Sequence, residues 1–355
     1  MALSLCFVGC GGYAARVAQD LGDARQELTL YFASRDAKKA KEFSDAYGGA
    51  GWFGSYEEAA ADPRVEAIYF VTPHHLHLEG VQMAAKNRKH ILMEKPIART
   101  VAEAEQLIRT AKDAEVTLMI AENYRFTPTI AKCKELIGQG LIGDLRLVQI
   151  QREGYSEAKS WRADTALSGG GRFIDAGIHD MDAIVNLGGF PSRIYAATPR
   201  QVFPGQTGED GMVLTAHLPG GAVGLLQFSW ATPITEYREQ AWVTGTKGQL
   251  IFKPFGTEVV VETPVVRRTV QLPEAKMGVP WMMREFAAAV REGREPLMSG
   301  QEGLNDLVCV LAAYQSVKEG RAVELQPPAA SAAPAGRHRL TPPKSGKRHD
   351  PRSLI

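Results

Sequence analysis

Three residues of this chain invite chemistry by type and spacing: Lys95 in "EKPIA", and Asp175 and His179 in "SGGGRFIDAGIHDMDAIVNLGG". An imidazole, with an unperturbed pKa of about 6.5, takes or gives a proton near neutral pH. An ammonium on the same oxygen would stabilise developing negative charge. Asp175, His179, Asp182 and Asn186 recur at steps of four, three and four. That spacing places them on one face of a helix otherwise built from Phe173, Ile174, Ile178, Met181, Ile184, Val185 and Leu187. A structural hydrogen-bond network is the plain alternative, and Asp182 and Asn186 suit it. The glycines at 169–171 would let substrate or cofactor approach the backbone.

Such a set needs a scaffold, and residues 1–122 provide its pattern. Apolar runs at 3–8, 28–33, 67–72, 90–93 and 116–121 alternate with helical stretches at 13–21, 37–47, 76–86 and 101–114. Strand and helix alternating in this way predict a doubly wound parallel sheet. The first turn, "FVGCGGYAA", is a GxGxxA fingerprint of Gly9, Gly11 and Ala14, with Gly12 and Tyr13 opening the helix. Its backbone N–H groups would face a pyrophosphate. The second strand ends in "ASRDAKKA". Ser34 and Arg35 come first and Asp36 two positions late, with Lys39 behind, which favours a 2′-phosphate and hence NADP, with NAD possible. Asp36 capping the next helix beside a solvated Arg35 is the alternative. Lys95 falls at the carboxyl end of a parallel strand, where ligands bind, and Pro96 raises the chance of a cis bond.

Residues 123–326 change pattern. A helix at 128–139, the strand "LRLVQIQRE", the striped helix and strand-like runs at 212–218, 223–230, 240–244, 250–253 and 259–262 predict a mainly antiparallel sheet. Helices at 281–292 and 302–318 close this second α/β domain. The open sheet face needs cover, and alternate apolar residues in "GLLQFSW" and "LTAHL" predict a homodimer or homotetramer through it. Residues 327–355 are rich in Pro, Ala and basic side chains and are expected to be disordered.

Composition excludes other classes. The net charge of +1 gives no reason for nucleic acid or membrane as the main partner. Cys6, Cys10, Cys133 and Cys309 form no CxxC pair, which fits the reducing cytoplasm. His74, His75 and His77 have no completing ligand set, so no metal is expected.

The fingerprint, "TPHHLH", "EKP", "AENYRF" and "GGGRFIDAGIHDMD" occur in that order, and the set resembles the glucose–fructose oxidoreductase / inositol dehydrogenase / MocA family. The resemblance covers about residues 3–325. It implies a Rossmann domain followed by an α/β domain with an open antiparallel sheet. It also implies hydride transfer between a nicotinamide cofactor and a sugar, cyclitol or related polyhydroxy compound. The family's catalytic lysine, aspartate and histidine match Lys95, Asp175 and His179. Thr72, Pro73, His74, His77, Glu94 and Asn123 would then touch cofactor, while Arg125, Tyr155, Trp161 and Arg162 would line the substrate pocket. His74 departs from the asparagine common after Thr-Pro. A glycosidase with transient redox and a cofactor-binding sensor are the competing readings.

Overall fold

The computed structural model describes residues 2–326; the basic extension at 327–355 lies outside them. The first sheet contains β1 (Leu3–Val8), β2 (Leu28–Ala33), β3 (Gly51–Phe53), β4 (Ala67–Phe70), β5 (His90–Met93) and β6 (Leu118–Ile120). All its pairings are parallel, in the order β3-β2-β1-β4-β5-β6. Helices α1 (Gly12–Asp20), α2 (Ala37–Ala46), α3 (Tyr56–Ala61), α4 (His77–Lys86) and α5 (Val101–Asp113) connect the strands. Strand and helix bounds fall within a few residues of the sequence pattern. Gly51–Phe53 and Tyr56–Ala61 escaped it, because three residues and six are too few to show a period.

The chain then forms α6 (Pro128–Gly138), β7 (Leu145–Glu153), a short α7 (Thr165–Ser168), a π turn (Phe173–Gly177) and α8 (Ile178–Gly188). It continues through β8 (Arg193–Ala197), β9 (Gly211–His217), β10 (Val223–Ser229), β11 (Arg238–Gly245), β12 (Gln249–Phe252), β13 (Glu258–Glu262) and β14 (Arg267–Gln271). Helices α9 (Val279–Glu292) and α10 (Gly300–Glu319) and strand β15 (Val323–Glu324) end the described chain. The second sheet runs β14-β13-β12-β11-β7-β10-β9-β8-β15. Only β7 and β10 pair in parallel; every other pairing is antiparallel.

One face of this sheet is core. Ala196, Leu214, Ala216, Leu226, Phe228, Val148, Ile150, Ala241 and Val243 are buried there. The alternate apolar residues of both "GLLQFSW" (Leu226, Phe228) and "LTAHL" (Leu214, Ala216) thus point inward, correcting their expected place on the open face. Register instead puts Tyr195, Thr215, Leu225, Gln149, Trp242, Ile251 and Val260 in one row across the other face. Alternation along each strand divides the two sets.

The last helices tie the two sheets together. Ile120 N donates to Met298 O at 2.8 Å. Arg284 on α9 pairs with Asp23 at 2.5 Å and Glu27 at 3.1 Å. Among the described residues, no helix is long and apolar enough to cross a membrane.

Candidate active site

A cleft of about 540 Å³, within the size range of small-molecule sites, runs from the first glycine turn to Asp175 in the π turn; His179 is not among its lining residues. Its floor is set by Gly9. At φ +103° this residue enters the left-handed region, and a Cβ there would lie 2.6 Å from Val71 O. Only glycine lets β1 turn so close to the loop after β4. Gly11 and Gly12 are different: a Cβ on either would meet nothing within 4 Å. The space beside them belongs to the cleft. Gly11 caps α1 with no side-chain bond and no acid follows in the first turn, so the helix N–H groups keep their capacity for an anion.

At the far end of β2, Ser34, Arg35, Asp36, Lys39 and Tyr56 line the cleft. The Asp36 carboxylate caps α2, accepting from Lys38 N at 3.0 Å and Lys39 N at 3.3 Å. Ser34 Oγ accepts from Asp36 N at 3.2 Å.

Thr72, Pro73, His74, Glu94 and Lys95 line the other end with Trp161, Arg162 and Asp175. Thr72 Oγ1 is buried without a partner. A bound dinucleotide fits these features: a helix terminus for its phosphates, open space at Gly11 and Gly12, and an orphaned hydroxyl deeper in.

Lys95 precedes a cis Pro96. Its ammonium donates to the carbonyl of Asp175. Burial lowers its pKa, while Asp175, Glu94 and Glu122 pull the other way. Asp175 accepts from Arg172 at 2.7 Å and from Arg162 at 3.1 Å. Burial works against its ionisation, but Lys95, Arg162, His74 and Arg172 outweigh it and hold the carboxyl well below its usual range. Arg162 also stacks over Trp161, 4.3 Å from the ring centroid.

His179 stands behind this wall, with 10% of its side chain exposed. Nδ1 lies 2.6 and 2.8 Å from the two oxygens of Glu122. The ring stacks on Tyr124 at 4.1 Å and an interplanar angle of 4°. Burial, then Lys95 and Arg152, push its pKa well below the imidazole range; Asp175 opposes them. An ionised Glu122 at hydrogen-bond distance would oppose them too. Burial raises Glu122 and Glu94 to about 7.

Other expected ligands sit elsewhere. Arg125 gives its guanidinium to Asp182, with Nε at 2.9 Å, and to Glu302 at 2.6 Å. Asn123 donates to Met277 O at 2.6 Å. His77 is buried between the carbonyls of Pro96 at 3.0 Å and Thr72 at 3.2 Å. Tyr155 is 54% exposed and packs on Phe203. None of the four lines the cleft.

The three glycines are structural. Hypothetical Cβ atoms at Gly169, Gly170 and Gly171 would come within 2.9 Å of Arg99, 2.5 Å of Tyr314 and 2.2 Å of Glu209. Their close approach is therefore to protein, not to substrate. His74, which lines the cleft, sits with Nδ1 2.7 Å from Ser168 O, and burial lowers its pKa to about 3. Asp182 and Asn186 serve ion-pair and hydrogen-bond partners, Arg125 and Lys134.

Sequence pattern does not single out Glu122, Tyr124 or Arg172 as site residues. Glu122 follows the carboxyl end of β6, the position that singled out Lys95 after β5, so the same rule finds it once β6 is placed. Arg172 gave no such signal. Among the described residues, no cluster of three or more His, Cys, Asp or Glu is arranged to hold a metal ion.

A parallel sheet with a glycine turn at its switch point, joined to an open-faced second sheet, defines the two-domain, Rossmann-type oxidoreductases. Residues 3–122 match the oxidoreductase family with an NAD-binding Rossmann fold. Residues 130–251 match the GFO/IDH/MocA C-terminal domain. The chain belongs to this Gfo/Idh/MocA family of NAD(P)-dependent sugar and polyol oxidoreductases. It is 29% identical to D-xylose 1-dehydrogenase (NADP(+)) 2 of Haloferax volcanii, over 90% of this chain and 98% of that one. It is 26% identical to D-apiose dehydrogenase of Rhizobium rhizogenes, over 90% and 96%. The aldose–aldose oxidoreductase of Caulobacter crescentus, solved with glycerol, superposes with a TM-score of 0.82 at 26% identity, covering 92% of this chain and all of that one.

Proposed function

We propose that this protein is an NADP-preferring dehydrogenase or reductase of an aldose or closely related polyhydroxy compound. Lys95, Asp175 and His179 are its working residues. The observation that carries this reading is the meeting of the Lys95 ammonium with the Asp175 carbonyl, one turn from His179, at the inner end of the cleft.

Gly9, Gly11, Gly12 and Tyr13, which line the cleft, would hold the dinucleotide phosphates, while Ala14 is buried in the core and lets α1 pack closely. Ser34, Arg35 and Lys39 would hold the 2′-phosphate, with a hydroxyl and two cations lining that end of the cleft. Thr72, Pro73, His74 and Glu94 would pack beside the nicotinamide, which supplies the hydride acceptor or donor. Trp161 and Arg162 border the substrate side.

In oxidation, His179 Nε2 takes the hydroxyl proton. Lys95 donates to the same oxygen and stabilises charge as the O–H bond breaks. Asp175, held ionised by its arginines, accepts from a substrate hydroxyl. In reduction, the proton returns from Nε2. Arg125, Asn123 and His77, each held by protein groups, serve as supports, while Tyr155 lies outside the cleft.

The test is a screen of D-xylose, D-apiose and other aldoses with NADP⁺ and NAD⁺, following absorbance of the reduced cofactor, together with His179→Ala and Lys95→Ala. Each variant should lose at least a hundredfold in kcat. Near-wild-type turnover in either ends its role, and no turnover with any aldose ends the substrate class.

The half-buried row through Leu225 and Trp242, with Tyr195 exposed at one end, is read as a contact between copies of the chain. The four cysteines are buried and free, which suits the cytoplasm. Recovery of the enzyme in an exported fraction would contradict that placement.

A further inference from the structure

His179 is held on two sides. Glu122 takes its Nδ1 edge, and Tyr124 covers one face of the ring. Tyr124 is itself fixed, because its hydroxyl accepts from Arg152 Nη1 at 2.6 Å. Arg152 is anchored to Asp180 at 2.8 Å. Glu122 is 1% exposed and also accepts from Tyr124 N at 3.1 Å. These groups come from three segments: the chain after β6, strand β7 and helix α8. Nε2, by contrast, makes no hydrogen bond to a described residue. A side chain packed only to fill space would not need both Nδ1 contacts and a clamped ring plane.

We infer that Glu122 is a positioning residue for the acid–base step: it fixes the His179 tautomer with hydrogen on Nδ1 and the lone pair on Nε2, and it compensates the imidazolium that forms. The inference rests on the proposed function above. Above about pH 7, to which burial raises the Glu122 pKa, that carboxyl is ionised; with Nδ1–H donating to it, Nε2 can only accept. When the substrate O–H breaks, its proton bonds to Nε2, and positive charge appears next to the carboxylate. In the reverse direction Nε2–H breaks and the proton passes to the substrate oxygen. The other charges facing His179 are Lys95 from the end of β5, Arg152 from β7 and Asp175 from the π turn. Two of those three are cations, so Glu122 supplies the opposing charge at the ring itself.

The experiment compares Glu122→Gln, Glu122→Ala and His179→Ala with the wild type. D-xylose with NADP⁺ is the first assay pair. Glutamine can still accept from Nδ1–H but carries no charge. Glu122→Gln should lower kcat about 10–100-fold, leave both KM values within about twofold, and move the acid limb of the pH profile downward. Glu122→Ala should cost about 10²–10⁴-fold. In ¹⁵N spectra at about pH 8.5 the wild-type His179 should show a protonated Nδ1 and a bare Nε2, a signature lost in Glu122→Ala.

If His179→Ala is inactive while Glu122→Gln keeps wild-type kcat and an unmoved acid limb, the Glu122 assignment falls and the proposed function stands. If His179→Ala turns over normally, both fall. If the Glu122 variants do not fold, the wild-type spectrum decides: a bare Nδ1 overturns the assignment.

Discussion

Replacing Arg35 by alanine tests the cofactor end of the cleft. The residue is exposed and lines the cleft with Ser34, Lys39 and Tyr56. A hydrogen bond to a charged group contributes about 1.5–3 kcal/mol. Solvent around an exposed guanidinium reduces that to the lower end, about 1.4 kcal/mol, or tenfold. Lys39 remains as a second cation, so the loss should not greatly exceed this. Asp36 accepts from two backbone amides of α2 at Oδ1 and keeps Oδ2, so whatever it offers a ribose hydroxyl of NAD is untouched by the change. Arg35→Ala should therefore lower kcat/KM for NADP⁺ about tenfold and leave that for NAD⁺ within about twofold. The assay is initial velocity against each cofactor at saturating aldose. Raising ionic strength should narrow the difference between wild type and variant. An equal loss with both cofactors, or no loss with either, refutes the 2′-phosphate reading.

Gly11→Ala and Gly171→Ala should fail in opposite ways. At φ −102° Gly11 accepts any residue, and its Cβ meets only open space; the variant should fold normally and bind NADP⁺ at least tenfold more weakly, and wild-type affinity in a fluorescence titration would show that no phosphate lies there. Gly171→Ala drives a Cβ to 2.4 Å from Glu209 backbone atoms, so it should cost about 3 kcal/mol or more by thermal unfolding, and a wild-type melting temperature would refute the packing argument. His74 has a folded pKa of about 3, lowered by burial from 6.5. Its contribution is full above pH 6.5 and is lost as pH falls toward 3, by up to about 1.4 kcal/mol per pH unit. His74→Asn should remove that part of the acid sensitivity in denaturant midpoints at pH 7, 6 and 5, and parallel curves for the two proteins would contradict it. Leu225→Arg, in the middle of the half-buried outer row of the sheet, should yield a monomer by light scattering; an unchanged oligomer, or a monomeric wild type, removes the proposed interface.

Local signals carried most of the first domain. The strands at Leu3–Val8, Leu28–Ala33 and His90–Met93 announce themselves as short apolar runs between turn residues, and the GxGxxA turn follows from its place after β1. The order of the nine-stranded sheet did not follow in the same way. Its parallel β7–β10 pair joins segments some seventy residues apart, which strand periodicity does not encode. At the site, the carboxyl-end rule found Lys95, and helical spacing joined Asp175 to His179. Spacing said nothing of Arg172, whose relevance lies in reaching the other oxygen of Asp175. It also misplaced Arg125: a cation beside a motif looks like a substrate ligand until Asp182 and Glu302 are seen to take it.

The π turn at Phe173–Gly177 has a consequence for how such sites are recognised. A wide turn carries an extra residue, so deleting one and restoring ordinary winding would rotate everything upstream by about 100° relative to α8. Asp180 and Asp182 would keep their arginines, while Asp175 would swing away from Lys95. Two chains that both carry the aspartate and histidine but differ by one residue in this turn can thus differ in whether the pair assembles, and a pattern that tolerates a gap there without regard to the local winding would accept both.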